Sequence, residues 1–315
     1  MTKLRGQVAL VAGATRGAGR GIARMLGEAG ATVYCTGRGT RAAPSAAGAH
    51  AGRPETIDDT AALVTAAGGE GIPVRVDHAV EAEVAALVER IRHDHGRLDV
   101  LVNVLGGQQV QDRRPFWELP VGEGRAFTDS WVWPHVVTAR HAVPLMIPRR
   151  SGLIVEVLET HTLDYLGHFY FDLAVTALKR LAYALAEELA PHDVTAVSIA
   201  PGFMRTEVVL AHLSATEETW QEVARESEMA RGYGFAGSET PCFVGRAIAA
   251  LAADPDVRRW SGRALSSWAL SDEYGFTDVD GARPHWGRYL SANFPQLADA
   301  RPRSGVRWTA TAAEG

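Results

Sequence analysis

From residue 7 onward, two hydrophobic patterns alternate along the chain. Short continuous apolar runs occupy residues 7–12 (QVALVA), 32–36 (TVYCT), 72–76, 98–102, 153–158 and 194–199. Such runs suit strands covered on both faces. Between them, apolar residues recur at helical spacing over 17–29, 57–67, 81–95, 128–147 and 170–190. Strand and helix in turn predict an α/β fold built on a doubly wound parallel sheet. Residues 37–54, rich in Gly, Ala, Arg and Pro, predict a loop. After Pro201 the pattern changes. Residues 206–231 predict polar helix, and 240–253 a helix with Thr240 as N-cap and Pro241 at its first position. Trp268, Tyr274, Phe276, Trp286, Tyr289 and Phe294 predict a tail packed on the body, with frayed final residues. No repeat or linker interrupts the chain. A single domain over 1–315 is expected, with a core at 1–206, a helical substrate cap at 207–235 and a C-terminal extension at 268–315.

The first strand runs into AGATRGAGRGIA, residues 12–23. Gly13, Gly17 and Gly19 fall in the turn that opens the first helix. Glycine permits the tight turn and lets a phosphate approach without a Cβ in the way. The free N–H groups of the helix start then face the anion. Position after a strand and before a helix is what gives this pattern its meaning.

Composition narrows the partners. The 32 Lys and Arg are interspersed with 37 acids for a net charge of −5, and no basic stripe stands out, so nucleic acid is not an expected partner. The two cysteines, Cys35 and Cys242, form no metal or disulfide framework. No apolar run reaches the roughly 18 residues a membrane span needs, and the N-terminus lacks a signal-peptide pattern. A cytoplasmic protein with a small-molecule substrate is expected.

The spacing G-x-x-x-G-x-G, with NVLGG at 103–107, APGFMRT at 200–206 and GLIVEV at 152–157, resembles the short-chain dehydrogenase/reductase family. GRLDVLVN (96–103), PFWELP (115–120) and LMIP…GLIV resemble the branch that includes dehydrogenase/reductase member 1. The resemblance implies a Rossmann-type fold and a nicotinamide dinucleotide. It implies that Gly13, Thr15, Arg16, Gly17, Ala18 and Gly19 hold pyrophosphate and ribose, that Asp77 and His78 flank the adenine, and that Asn103 and Val104 line the adenosine ribose. Pro201, Gly202 and Thr206 would hold the nicotinamide amide. It also implies a homodimer or homotetramer through the helix at 170–190. An NAD site usually carries an acid at the end of the second strand. Here Arg38 stands there, facing Arg16, and two guanidiniums suit a 2′-phosphate, so NADP(H) is expected.

The family's reaction uses a tyrosine as proton donor, a lysine one turn on, a serine and an asparagine. Counting back from EELAPH (187–192), the tyrosine position falls on Phe171 and the lysine position on Val175. The serine position falls on Glu159 and the asparagine position at or near Trp131. Lys179 lies two turns from Phe171, roughly 12 Å along the axis and roughly 80° round the helix. Tyr170 has Ala174 four residues on. Phe171, Ala174, Val175, Leu178, Leu181, Leu185 and Leu189 form an apolar stripe at helical spacing. Polar chemistry collects just before this helix, in Glu159, His161, Asp164, Tyr165, His168 and Tyr170. Glu159, His161 and Tyr170 are the candidate catalytic residues. Glu159 acts as acid or base if desolvation raises its pKa, and His161 titrates near neutrality. The spacing of Glu159, His161 and His168 matches no zinc motif, so no metal is expected. A carbonyl/alcohol oxidoreductase with a non-standard proton relay is the first expectation. A non-redox isomerase, dehydratase or cyclase, or a cofactor-binding pseudoenzyme, is the alternative.

Overall fold

The computed structural model describes residues 3–44, 52–106, 114–160, 165 and 167–294. Seven strands form one sheet: β1 (Val8–Ala12), β2 (Thr32–Gly37), β3 (Glu70–Arg75), β4 (Val100–Asn103), β5 (Gly152–Val157), β6 (Val194–Ala200) and β7 (Ala264–Ser266). Their order is β3-β2-β1-β4-β5-β6-β7, with every pair parallel. The order reverses between β1 and β4, and the crevice at the carboxyl ends of those strands is where such sheets bind ligands.

The period-two geometry of the strands splits the core in two. Ala9, Val11, Val33 and Val102 face one side, against α1 (Gly17–Glu28), α2 (Ile57–Ala66) and α10 (Pro241–Ala252). Val8, Leu10, Tyr34 and Leu101 face the other, against α3 (Glu81–His95), α5 (Trp133–Ala142) and α6 (Phe169–Leu189). β1 and β4 are buried along their whole length, which explains their uninterrupted apolar sequence.

Two expected helices are divided. The helix expected at 128–147 is instead α4 (Val121–Trp131), then α5, then two short 3₁₀ turns. Pro134 sits in the first turn of α5, and Pro144 and Pro148 open the 3₁₀ turns. A proline ring clashes with the carbonyl four residues back and supplies no N–H, so a continuous helix is broken there. The stretch 206–231 forms three short helices, α7 (Glu207–His212), α8 (Trp220–Glu226) and α9 (Glu228–Gly232). They enclose a small apolar cluster around Phe235. Strand β7 is only three residues long and was not legible as a strand. Helices α11 (Ser267–Tyr274) and α12 (Trp286–Asn293) complete the described chain. Trp286 stacks on Phe203 at 5.9 Å, fastening α12 to the turn after β6, and on Tyr289 of its own helix at 5.5 Å. Among the described residues, no helix is long and apolar enough to cross a membrane.

Helices α1 and α10 touch backbone to backbone. A Cβ on Gly21 would lie 2.2 Å from the Pro241 carbonyl oxygen, and one on Gly245 would lie 2.8 Å from that of Gly21. Alanine normally gains ~1 kcal/mol over glycine inside a helix. Here overpacking outweighs that gain. Gly21→Ala is expected to lower stability by ~1–3 kcal/mol, read from the midpoint of urea unfolding.

Candidate active site

The turn from β1 into α1 is built on close backbone contact. Gly13 has φ +93°, and a Cβ there would lie 2.3 Å from the Val104 carbonyl oxygen. A Cβ on Gly19 would lie 2.1 Å from the Gly13 carbonyl oxygen. Gly17, at φ +52°, donates its N–H to Glu207 Oε2 at 2.9 Å, and Arg20 Nε lies 3.9 Å from Glu207 Oε1. The residue capping α1, Arg16, makes no side-chain cap bond. The positive end of the helix is therefore met by a carboxylate from α7, a stand-in for the anion such a terminus attracts. The Gly17 N–H is thus a donor already matched to an anion, as a phosphate at this turn would require. Thr206 caps α7 through its hydroxyl, and its methyl would lie 3.5 Å from a Cβ on Gly17. The structure thus brings Gly13, Gly17, Val104 and Thr206 together at the mouth of the crevice. Ala18 and Gly19 are buried beneath them, and Thr15 Oγ1 lies against Gly37 at the end of β2.

Beside β2 the charges are more mixed than the sequence reading foresaw. Arg16 Nε donates to Glu55 Oε2 at 3.3 Å, and Arg53 holds the same carboxylate at 2.6 Å. These arginines hold the Glu55 carboxyl below its ordinary pKa against the opposing effect of burial. Arg16 Nη2 is buried without a hydrogen-bond partner. Arg38 is exposed, 3.9 Å from Asp77. Glu55 and Arg53 belong to a loop that carries no periodic signal, so their place beside Arg16 was not legible.

Two residues assigned to the adenosine end are tied inward. His78 bonds Thr36 Oγ1 at 2.8 Å through Nε2 and Thr138 Oγ1 at 2.9 Å through Nδ1. Its burial, with His135 nearby, lowers its pKa to about 4, so it is neutral. Asn103 Nδ2 donates to Glu156 Oε1 at 2.9 Å, while its Oδ1 is buried and unpartnered. Glu156 Oε2 bonds His135 Nδ1, and His135 Nε2 donates to the Leu105 carbonyl at 2.7 Å. A carbonyl only accepts, so Nε2 carries a hydrogen. Both side chains are fully buried. A lone acid inside the apolar run GLIVEV was the one sequence signal for this pair.

Two residues past the end of β5, Glu159 is exposed to solvent with protein packed around it. Desolvation raises its pKa. His161 and Asp164 lie outside the described residues. Tyr165 is exposed. Tyr170 lies against α4, where a Cβ on Gly124 would come within 2.4 Å of its ring. Phe171 meets Trp131 edge-on at 5.2 Å, and Trp131 stacks on Phe127 at 5.9 Å. Val175 is 1% exposed. The three positions are apolar and packed, and the side chains at 131 and 171 touch.

Comparisons with known proteins bear on the family and the fold. A family model for short chain dehydrogenases matches residues 7–217. Human dehydrogenase/reductase SDR family member 1 is 35% identical over 283 residues, covering 88% of this chain and 85% of its own. Cis-4-hydroxycyclohexanecarboxylate dehydrogenase of Sinomonas cyclohexanicum is 30% identical, covering 78% of this chain and 94% of its own. A short chain dehydrogenase from Mycobacterium thermoresistibile shares the fold with a TM-score of 0.71 at 23% identity, covering 90% of this chain and 92% of its own. A variant of actinorhodin polyketide ketoreductase, solved with NADPH, shares it with a TM-score of 0.64 at 23% identity, covering 82% and 95%.

Glu207 competes with any phosphate for the Gly17 N–H. Glu207→Gln is expected to tighten NADPH binding about two- to fivefold, the equivalent of ~0.3–1 kcal/mol for a charge at a helix terminus. Fluorescence titration at low salt reads the change.

Proposed function

The chain belongs to the short-chain dehydrogenase family, and from that premise we propose that it is an NADP(H)-dependent carbonyl/alcohol oxidoreductase in which Glu159 handles the proton. The cradle of Gly13, Thr15, Arg16, Gly17, Ala18 and Gly19 would hold the pyrophosphate and ribose, and Pro201, Gly202 and Thr206 the nicotinamide end. A bound nicotinamide would supply or accept the hydride. Arg16, Arg38 and Arg53 outnumber Glu55 and Asp77 near the ribose, and this excess of positive charge favours the 2′-phosphate form.

The observation that carries the reading is Glu159 itself. It lies two residues past β5, at the carboxyl edge of the sheet, with a pKa raised by desolvation. A carboxyl so perturbed is an acid–base candidate at neutral pH. Trp131, Phe171 and Val175, where the resemblance places an asparagine, a tyrosine and a lysine, have no proton to give. Tyr170 is packed on α4, which shifts the weight to Glu159.

A non-redox proton transfer is the second reading. It is favoured by Val175, whose burial leaves no cation at the position where the family resemblance places its lysine. Product mass separates the two: a change of two hydrogens with NADPH supports reduction, and no change supports isomerisation or cyclisation. Exposed Trp133 on α5 and Leu173 on α6 support assembly as a homodimer or homotetramer, testable by light scattering.

Glu159 must be protonated to serve as an acid. Carbonyl reduction is therefore expected to fall as pH rises through its raised pKa, and the reverse oxidation to rise. Glu159→Gln is expected to lose about 100-fold or more in kcat with NADPH affinity unchanged. Unaltered turnover in that variant would remove Glu159 from the mechanism. Arg38→Ala is expected to weaken NADPH about tenfold or more and NADH little, since a hydrogen bond to a charged group is worth ~1.5–3 kcal/mol.

A further inference from the structure

A second buried acid lies against the turn after β6. Glu239 is 1% exposed and precedes α10. Its Oε2 accepts from the Gly202 N–H at 2.9 Å and from Ser267 Oγ at 2.7 Å. Its main chain is stitched to the same turn: its N–H donates to the Phe203 carbonyl, and its carbonyl accepts from the Arg205 N–H, each at 2.8 Å. The fit is close, since a Cβ on Gly202 would come within 2.8 Å of both Glu239 Oε2 and the Trp286 side chain. Oε1 is buried with no hydrogen-bond partner.

We infer that Glu239 is a positioning residue for the nicotinamide end of the cofactor site, setting the Gly202 backbone through its carboxyl. The inference rests on the dinucleotide reading above. It concerns a residue that contributes through the turn and makes no contact with reacting atoms.

The protonation state of this carboxyl decides how well it does so. Desolvation is the largest effect on it and raises its pKa to about 8. Hydrogen bonds from Ser267 and Gly202 oppose the rise, Asp278 adds to it, and Arg205 lowers it. Arg205 is already engaged with Glu217, Asp280 and Ser238, and Asp278 with Thr240. Neither neutralises Glu239. The acid is therefore neutral below about pH 8, with its proton on Oε1, because Oε2 already accepts two hydrogen bonds. Above that pH a buried, unpaired charge forms beside Gly202, and the turn must move to hydrate it.

The test is NADPH affinity from pH 7 to 9 in the full-length protein, with 2′,5′-ADP, which lacks the nicotinamide half, as the second probe. In the wild type, NADPH is expected to weaken as pH rises, by up to about tenfold at one unit above the pKa. The binding of 2′,5′-ADP is expected to stay flat. Glu239→Gln keeps an acceptor for Gly202 but cannot ionise, so its NADPH affinity is expected to be independent of pH. A slope that persists in Glu239→Gln, or appears equally with 2′,5′-ADP, overturns the inference while leaving the dinucleotide reading intact. So does a flat wild-type profile. Failure of the wild type to bind either probe overturns both.

Discussion

The Val104 carbonyl oxygen stands where a side chain on residue 13 would begin, and the Gly13 carbonyl oxygen stands where one on residue 19 would begin. These two approaches fix how β1 turns into α1 and how closely β4 passes beside it. The start of α1 is thereby aimed at the crevice between β1 and β4, with the Gly17 N–H turned to the Glu207 carboxylate. The other groups at the site take their places from this turn. Thr206 packs on Gly17, Arg16 reaches toward Glu55, and Thr15 closes on Gly37. Any side chain at 13 or 19 would push apart main-chain atoms on three elements, and no flexible group stands there to yield.

Much of this architecture is legible in the amino-acid sequence because strand and helix leave different periodicities. Six of the strands and the helices α1, α2, α3, α6 and α10 fall within a few residues of their expected bounds. The misreadings have local causes. The expected helix at 128–147 hides Pro134, whose effect on the backbone outweighs an apolar pattern that continues across it. Strand β7 is too short to show alternation and exists because β6 offers it an edge. The cap reads as one helical stretch because polarity alone cannot mark where Ser227 opens a new helix by accepting from the Ala230 N–H.

The charged residues of the site were harder to foresee, for a different reason. Glu207 and Glu239 reach their partners across 28 to 190 residues of chain, and Glu55 reaches Arg16 across 39. No spacing rule connects such positions. Only Glu156 carries a local sign, as an acid within a strand that is otherwise apolar. Its burial is tolerated because both oxygens are bonded, one by Asn103 and one by His135. His135 in turn holds the Leu105 carbonyl, so this buried pair braces the loop that follows β4. Removing one partner alone would strand the other, which is why such pairs persist together.

The same logic bears on the reading of the chemistry. Trp131 and Phe171 touch, with Phe127 beside them and Tyr170 and Ala174 packed against the group. A tyrosine placed at 171 alone would put a hydroxyl among aromatic rings, with only a buried valine four residues on. A working phenol there needs a cation at 175, and a cation at 175 needs solvent or an anion that this apolar face does not provide. These changes would be favourable only together, which makes the packed face self-consistent. On the proposed reading, proton transfer falls to Glu159, just past β5, a carboxyl that is exposed yet raised in pKa by desolvation. If Glu159 carries it, hydride transfer and this apolar face coexist. If it does not, the face itself argues for chemistry in which the dinucleotide site serves structure and the proton moves elsewhere.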